Sequence, residues 1–125
     1  MKIALLGYGK MGQIIERFAL ERGHEVVLKI TADNQDQLTT ANLRKADVAI
    51  DFSAPDAALN NIYACFDANT PVVVGTTGWY GELQQVKNDC EGRNNTLRYG
   101  SNFSIGVNLF FQLNEMMARL MNNFP

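Results

Sequence analysis

Short continuous apolar runs alternate along the chain with longer stretches in which apolar residues recur every three or four positions. Ile3-Ala4-Leu5-Leu6 is such a run, and it stops at Gly7. A run without polar alternation suits a strand buried on both faces. Met11, Ile14, Ile15 and Phe18 follow at helical spacing, with Glu16, Arg17, Glu21 and Arg22 on other faces, and Gly23 closes that helix. Residues 25–30 are rich in β-branched side chains and predict a second strand. Residues 31–45 are polar and weakly periodic, which predicts a loop with a short helix. Residues 48–52 predict a third strand. Ser53-Ala54-Pro55-Asp56 then reads as a helix start, with Ser53 as cap, proline in the first turn and an acid three residues after the serine. That helix runs to about Asn69. Pro71 precedes a fourth strand, Val72-Val73-Val74, which ends at Gly75. A helix is expected over 82–91 and a fifth strand over 96–99. From Gly106 to about Met121 the chain is again helical, with Phe110, Leu113, Met117 and Leu120 on one stripe.

Strand and helix alternate throughout, and the strands are short and apolar. This order predicts an α/β fold, a parallel sheet covered by helices on both faces. In an open sheet of that kind, ligands bind beyond the carboxyl ends of the strands. Candidate chemistry is therefore sought in the residues that follow each strand.

Composition narrows the partners. The chain has 125 residues, 46% apolar and 19% charged, which is globular and excludes a disordered or low-complexity chain. The net charge of −2 offers no broad basic face, so neither nucleic acid nor an anionic membrane is an expected partner. No run approaches the roughly 18 apolar residues of a membrane span. The first six residues resemble the start of a signal peptide, but glycines and charges follow at once with no cleavage site, so a cytoplasmic protein is expected. His24 is the only histidine, and no metal site is expected. Cys65 and Cys90 lack pairing or ligand spacing and read as reduced core thiols.

Gly7-Tyr8-Gly9-Lys10-Met11-Gly12 fits G-x-G-x-x-G between a strand and a helix. Gly7 permits a tight turn, Gly9 leaves room for a pyrophosphate against the backbone, and Gly12 lets helix and strand pack closely. The helix N-terminus offers free N–H groups to phosphate, and Lys10 adds a cation. Without a ligand the same segment is simply a glycine-rich turn. A dinucleotide site usually carries an acid at the end of its second strand. Thr31 stands there instead, and Asp33 lies two residues late. That weakens a strict NAD reading and leaves NADP open. Gly75-Thr76-Thr77-Gly78 makes a tight loop suited to a carboxamide or carboxylate, or merely a turn. Asp51-Phe52-Ser53 follows the third strand, with a capping serine beside a packed phenylalanine as its plain alternative; residues 100–108 follow the fifth and line the same crevice or simply turn the chain into the last helix.

Taken in order and spacing, Gly7–Gly12, Asp51-Phe52-Ser53, Gly75-Thr76-Thr77-Gly78 and Asn102-Phe103-Ser104-Ile105-Gly106-Val107-Asn108 resemble the N-terminal domain of the 4-hydroxy-tetrahydrodipicolinate reductases, long called dihydrodipicolinate reductases. The resemblance spans essentially the whole chain. It implies a Rossmann-like doubly wound sheet over 1–105, with 106–125 leading into a substrate domain. It also implies a role in lysine and diaminopimelate synthesis, where NADH or NADPH gives hydride to a cyclic unsaturated dicarboxylate. By matching motif, Gly7, Gly9, Lys10, Met11 and Gly12 would hold the pyrophosphate. Gly75, Thr76 and Thr77 would hold the nicotinamide end, with Thr77 near the substrate. Gly100, Ser101, Asn102 and Phe103 would close the pocket, and Thr31, Phe52 and Ser53 would complete it.

The family's paired histidines, lysine and Asp-Ala-Pro-Ser-Gly-Thr segment have no counterpart here. His24 precedes the second strand, and a solvated turn role is expected for it. The expectation is a cofactor half with little or no turnover alone, whose apolar final helix favours a homo-oligomer. The alternative is a non-catalytic nucleotide-binding module that senses redox state or regulates a partner, since one fold hosts both.

Overall fold

The computed structural model describes residues 1–124. It contains five strands, β1 (Lys2–Leu6), β2 (Glu25–Ile30), β3 (Val48–Asp51), β4 (Val72–Val74) and β5 (Leu97–Tyr99). They form one all-parallel sheet in the order β2-β1-β3-β4-β5. The helices are α1 (Lys10–Glu21), α2 (Thr40–Leu43), α3 (Pro55–Ala68), α4 (Leu83–Gly92) and α5 (Ile105–Met121). Strand order reverses between β1 and β3, so adjacent connections leave in opposite directions and open a crevice at their carboxyl ends.

One face of the sheet is fully covered. Ala4, Leu6, Leu28, Ile30, Ala49, Val72 and Val74 pack there against Leu43 of α2, Ala58, Ile62, Cys65 and Phe66 of α3, and Val86 and Cys90 of α4. Both cysteines are free and buried. Burial, with a smaller effect from the Asp51 charge, pushes the Cys65 thiol up to about 12, so it stays protonated at neutral pH. The opposite face carries Ile3, Leu5, Val48 and Ile50, against which Tyr8 of the loop after β1 and Ile15 and Ala19 of α1 pack. The expected two-sided cover is therefore partial. An apolar groove lined by Ile3, Phe18, Val48, Ile50 and Val73 remains open beside α1. Met11 and Phe18, placed by spacing on the buried stripe, are exposed for this reason.

The 31–45 stretch folds as a 3-10 turn over Ala32–Gln37 followed by α2. Ser53 is not the cap of α3. That position belongs to Ala54, without a side-chain bond, while Pro55 and Asp56 occupy the first turn as expected. The Ser53 hydroxyl is instead drawn to the Asp51 carboxylate, 2.8 Å away. The last helix begins one residue earlier than its stripe suggests, at Ile105, capped by the Ser104 hydroxyl. None of its residues is buried, and Phe110, Phe111, Leu113, Met117 and Leu120 all face solvent. His24 sits in the turn before β2, its Nδ1 3.5 Å from the terminal amine. No helix among the described residues is long and apolar enough to cross a membrane.

Candidate functional site

Every strand-end segment singled out by sequence lies along the crevice at the carboxyl edge of the sheet. The glycine loop joins β1 to α1. Gly7 has φ +90° and its N–H donates to the Ile30 carbonyl at 2.9 Å, tying the loop to the end of β2. A Cβ on Gly7 would lie 2.2 Å from the Phe52 carbonyl oxygen. A Cβ on Gly12 would lie 2.4 Å from the Gly7 carbonyl oxygen, so this glycine does allow close packing of helix on loop. Gly9 meets nothing within 4 Å. Its open side faces the start of α1, where no side chain caps the first amides. Those unpaired N–H groups and the positive end of the helix suit an anion. Lys10 is exposed beside them.

The second strand-end pair, β3 and β4, is joined from below by a buried polar cluster. Asp51 is fully buried and accepts four hydrogen bonds. Its Oδ1 receives Ser53 N–H at 2.9 Å, the Ser53 hydroxyl at 2.8 Å and the Thr76 hydroxyl at 2.5 Å. Its Oδ2 receives Asn61 Nδ2 at 2.9 Å. Ser53 N–H also donates to Thr76 Oγ1 at 2.8 Å, and Asn61 Nδ2 to Ser53 Oγ at 3.1 Å. The Thr76 carbonyl accepts the indole N–H of buried Trp79 at 2.8 Å. Thr76 is thus a buried post of the loop, and its hydroxyl is spent inside. Thr77 next to it is exposed and leaves the hydroxyl free. Asp51 and Asn61 were not among the site residues expected from sequence. Their partners lie up to 25 residues away, and no local spacing signals a contact made only by the folded sheet.

Phe52 divides the crevice into two clefts. On one side a cavity of about 530 Å³ is lined by Gly7, Gly9, Thr31, Ala32, Gln35, Ser53 and Asp56 among others. On the other a second cavity of about 530 Å³ is lined by Met11, Ile50, Phe52, Gly75, Ser101, Asn102 and Phe103. The Phe52 ring presses so closely on Gly75 that a Cβ there would sit 2.2 Å from it, which explains glycine at the end of β4. Phe103 meets Phe52 edge-on with ring centroids 6.2 Å apart, and its ring also lies over Gly100. Asn102 Oδ1 accepts the Ser104 N–H at 2.7 Å and shapes the turn into α5. The structure therefore brings Gly7, Gly9, Thr31 and Ser53 to one cleft and Met11, Phe52, Gly75, Ser101, Asn102 and Phe103 to the other. Gly12 and Thr76 lie beneath as support, and Thr77 lines neither cavity.

Beside the glycine loop, Lys29 Nζ pairs with Glu16 Oε1 at 2.8 Å, and the Tyr8 hydroxyl donates to the other carboxylate oxygen. The ammonium also lies 4.8 Å from the centre of the Tyr8 ring. Hydrogen bonds from Lys29 and then Tyr8 hold the Glu16 carboxyl below its usual range, while Glu16 raises the Lys29 ammonium. Both partners therefore stay charged across the neutral range.

Comparison with known proteins gives a consistent neighbourhood. Residues 1–103 match the family described as dihydrodipicolinate reductase, N-terminus. A 4-hydroxy-tetrahydrodipicolinate reductase from Christiangramia forsetii is 46% identical over 121 residues, covering 97% of this chain and 50% of the relative. One from Staphylococcus aureus is 35% identical over 132 residues, covering 99% and 53%. The chain thus spans about half the length of the curated relatives it matches. Among solved structures, a dipicolinate-bound dihydrodipicolinate reductase from Paenisporosarcina sp. TG-14 superposes with a TM-score of 0.77 at 23% identity, over 94% of this chain and 53% of that one. That likeness concerns the fold.

Proposed function

The chain belongs to the dihydrodipicolinate reductase family, and from that premise we propose that it is the nucleotide-binding half of a 4-hydroxy-tetrahydrodipicolinate reductase. Residues 1–105 would hold NADH or NADPH, and 106–125 would lead into a substrate domain. The observation that carries the reading is the pairing of two loops on one crevice. The uncapped N-terminus of α1 stands under the glycine loop, and the Gly75 loop is pinned from below by Asp51.

The residues present fit such a cofactor. Open space at Gly9, beside the free amides of Lys10, Met11 and Gly12, leaves room for a pyrophosphate. The cavity at Thr31 and Ser53 suits the adenosine end. The cavity between Phe52, Gly75 and Ser101–Phe103 suits the nicotinamide, with Thr77 turned outward toward the substrate. The bound nucleotide supplies hydride; these residues bind it, orient its ring and exclude water. Buried Thr76 fixes the Gly75 loop, so the exposed Thr77 hydroxyl and backbone amides present a preset edge to a cyclic dicarboxylate in lysine and diaminopimelate synthesis. A cytoplasmic setting follows from that role. Among the described residues, the cationic and proton-donating groups that a dicarboxylate reduction needs are not gathered in this crevice, so turnover by the chain alone is expected to be negligible.

Trp79 tests the reading. It is the only tryptophan, buried and hydrogen-bonded to the Gly75 loop, and its emission overlaps nicotinamide absorption. Titration with NADH and NADPH is expected to quench Trp79 saturably with sensitised nicotinamide emission. A folded chain that binds neither would sink the proposal. The exposed apolar α5 further supports self-association. Sedimentation at high concentration is expected to give a mass above one chain; a single-chain mass would refute the oligomer.

A further inference from the structure

We infer that the adenosine end of the cleft selects NADH over NADPH, through the residues around Thr31. This inference rests on the nucleotide-binding reading above and says which of the two nucleotides that site takes. The two differ only by a 2′-phosphate, which carries about −1.5 to −2 charge at neutral pH. A site that accepts it usually does so with a guanidinium near the end of the second strand.

The cavity at that strand end holds no lysine or arginine among the described residues. Its one charged lining side chain is Asp56, in the first turn of α3. Asp33 and Asp36 stand on the 3-10 turn that begins directly after Thr31. The cation nearest in sequence, Lys29, is committed elsewhere. Its ammonium is neutralised by Glu16 at 2.8 Å and rests on the Tyr8 ring. A 2′-phosphate would therefore meet fixed negative charge and no counter-charge.

The hydroxyls of an unphosphorylated ribose fare better. Thr31 Oγ1 is held in a closed local network, accepting Asp33 N–H at 3.2 Å and donating to Asn34 Oδ1 at 3.1 Å. Gln35 Nε2 donates to the Thr31 carbonyl at 2.7 Å, which fixes the side chain at the rim of the cavity. Its amide oxygen and the Asp56 carboxylate remain as neutral and anionic acceptors for a diol. The usual strand-end acid is absent, but acceptors reach the cavity from the turn and from α3. Sequence spacing alone does not reveal them.

The test is the dissociation constant of NADH against that of NADPH, read by Trp79 quenching on the wild-type chain and two surface variants. NADH is expected to bind at least tenfold more tightly. Ala32→Arg places a guanidinium beside Thr31 at an exposed position, and it is expected to erase or invert that ratio by strengthening NADPH. Asp56→Asn is expected to narrow it severalfold. NADPH binding as tightly as NADH to the wild type would overturn the inference while leaving nucleotide binding intact. A ratio unmoved by both substitutions would overturn the assignment to these residues. Binding of neither nucleotide would overturn the nucleotide-binding reading itself, and this inference with it.

Discussion

Gly7→Ala is expected to abolish nucleotide binding and to lower stability by about 3 kcal/mol or more. Two independent effects add at this residue. The backbone is at φ +90°, a conformation that an L side chain adopts only under strain. The new methyl would also lie 2.2 Å from the Phe52 carbonyl oxygen, 2.6 Å from its carbon and 2.7 Å from the Ser53 Cα. All three are backbone atoms, so no side chain can swing aside. Either the glycine loop lifts away from β3 or the β3 end moves, and each disturbs both clefts. Gly9→Ala is the control that separates fold from ligand. Gly9 sits at φ −77°, and a methyl there meets nothing within 4 Å. That variant is expected to melt within about 1 kcal/mol of the wild type. Its methyl would nevertheless stand where the proposed pyrophosphate would approach, and NADH affinity is expected to fall at least tenfold, about 1.4 kcal/mol. Thermal melts beside Trp79 titrations read both quantities. A Gly7→Ala chain that melts and binds like the wild type would refute the account of the loop.

The contrast between these glycines shows what the chain's pattern reveals. Five strands and their order of appearance are legible because most are short runs rich in apolar or β-branched residues that stop at a turn or polar residue, β5 with its central Arg98 being the weakest. The glycine spacing marks the loop, and the structure gives Gly7 and Gly12 different steric reasons while Gly9 faces open space. What is not legible depends on groups far apart in the chain. Ser53, followed by Pro55 and Asp56, satisfies every local rule for a helix cap, yet its hydroxyl turns back to Asp51. A buried carboxylate with four donors outcompetes a helix end that water can serve. Met11 and Phe18 fit a buried stripe, and their exposure follows from the partial cover of one sheet face. Periodicity reports which way a side chain points, not whether anything lies opposite. The stripe on α5 makes the same point, since its apolar residues all face solvent.

Asp51 carries the second large effect, and two substitutions there are expected to behave very differently. Asp51→Ala removes the acceptor for Ser53 N–H, the Ser53 hydroxyl, the Thr76 hydroxyl and Asn61 Nδ2. Some of these donors retain other bonds, since Ser53 N–H still reaches Thr76 and Asn61 Nδ2 still reaches Ser53. The Ser53 hydroxyl lines the open cavity and keeps the Ala54 carbonyl 3.5 Å away, but the buried Thr76 hydroxyl is stranded at about 1–3 kcal/mol, and the lost carboxylate leaves a cavity beside it. A loss of about 3 kcal/mol or more is expected, a large fraction of a typical folding free energy. Because the cluster ties the β3 end to the Gly75 loop, NADH affinity is expected to fall with it. Asp51→Asn keeps the shape. Its carbonyl oxygen can receive Ser53 and Thr76, which turns its amide toward Asn61. Asn61 Oδ1 is buried without a hydrogen-bond partner among the described residues. A flip of that amide would present Oδ1 to the new donor, at the cost of the 3.1 Å bond to Ser53. The asparagine variant is therefore expected to lose only about 1 kcal/mol and to keep most of its NADH binding. The further double substitution Asp51→Asn with Asn61→Leu removes the rescuing oxygen and is expected to fall toward the alanine variant. Equal melting temperatures for the alanine and asparagine variants would refute the rescue through Asn61. The predicted order, with the asparagine variant rescued only while Asn61 is present, would show that hydrogen bonds through residue 51 hold the β3 end and the Gly75 loop together.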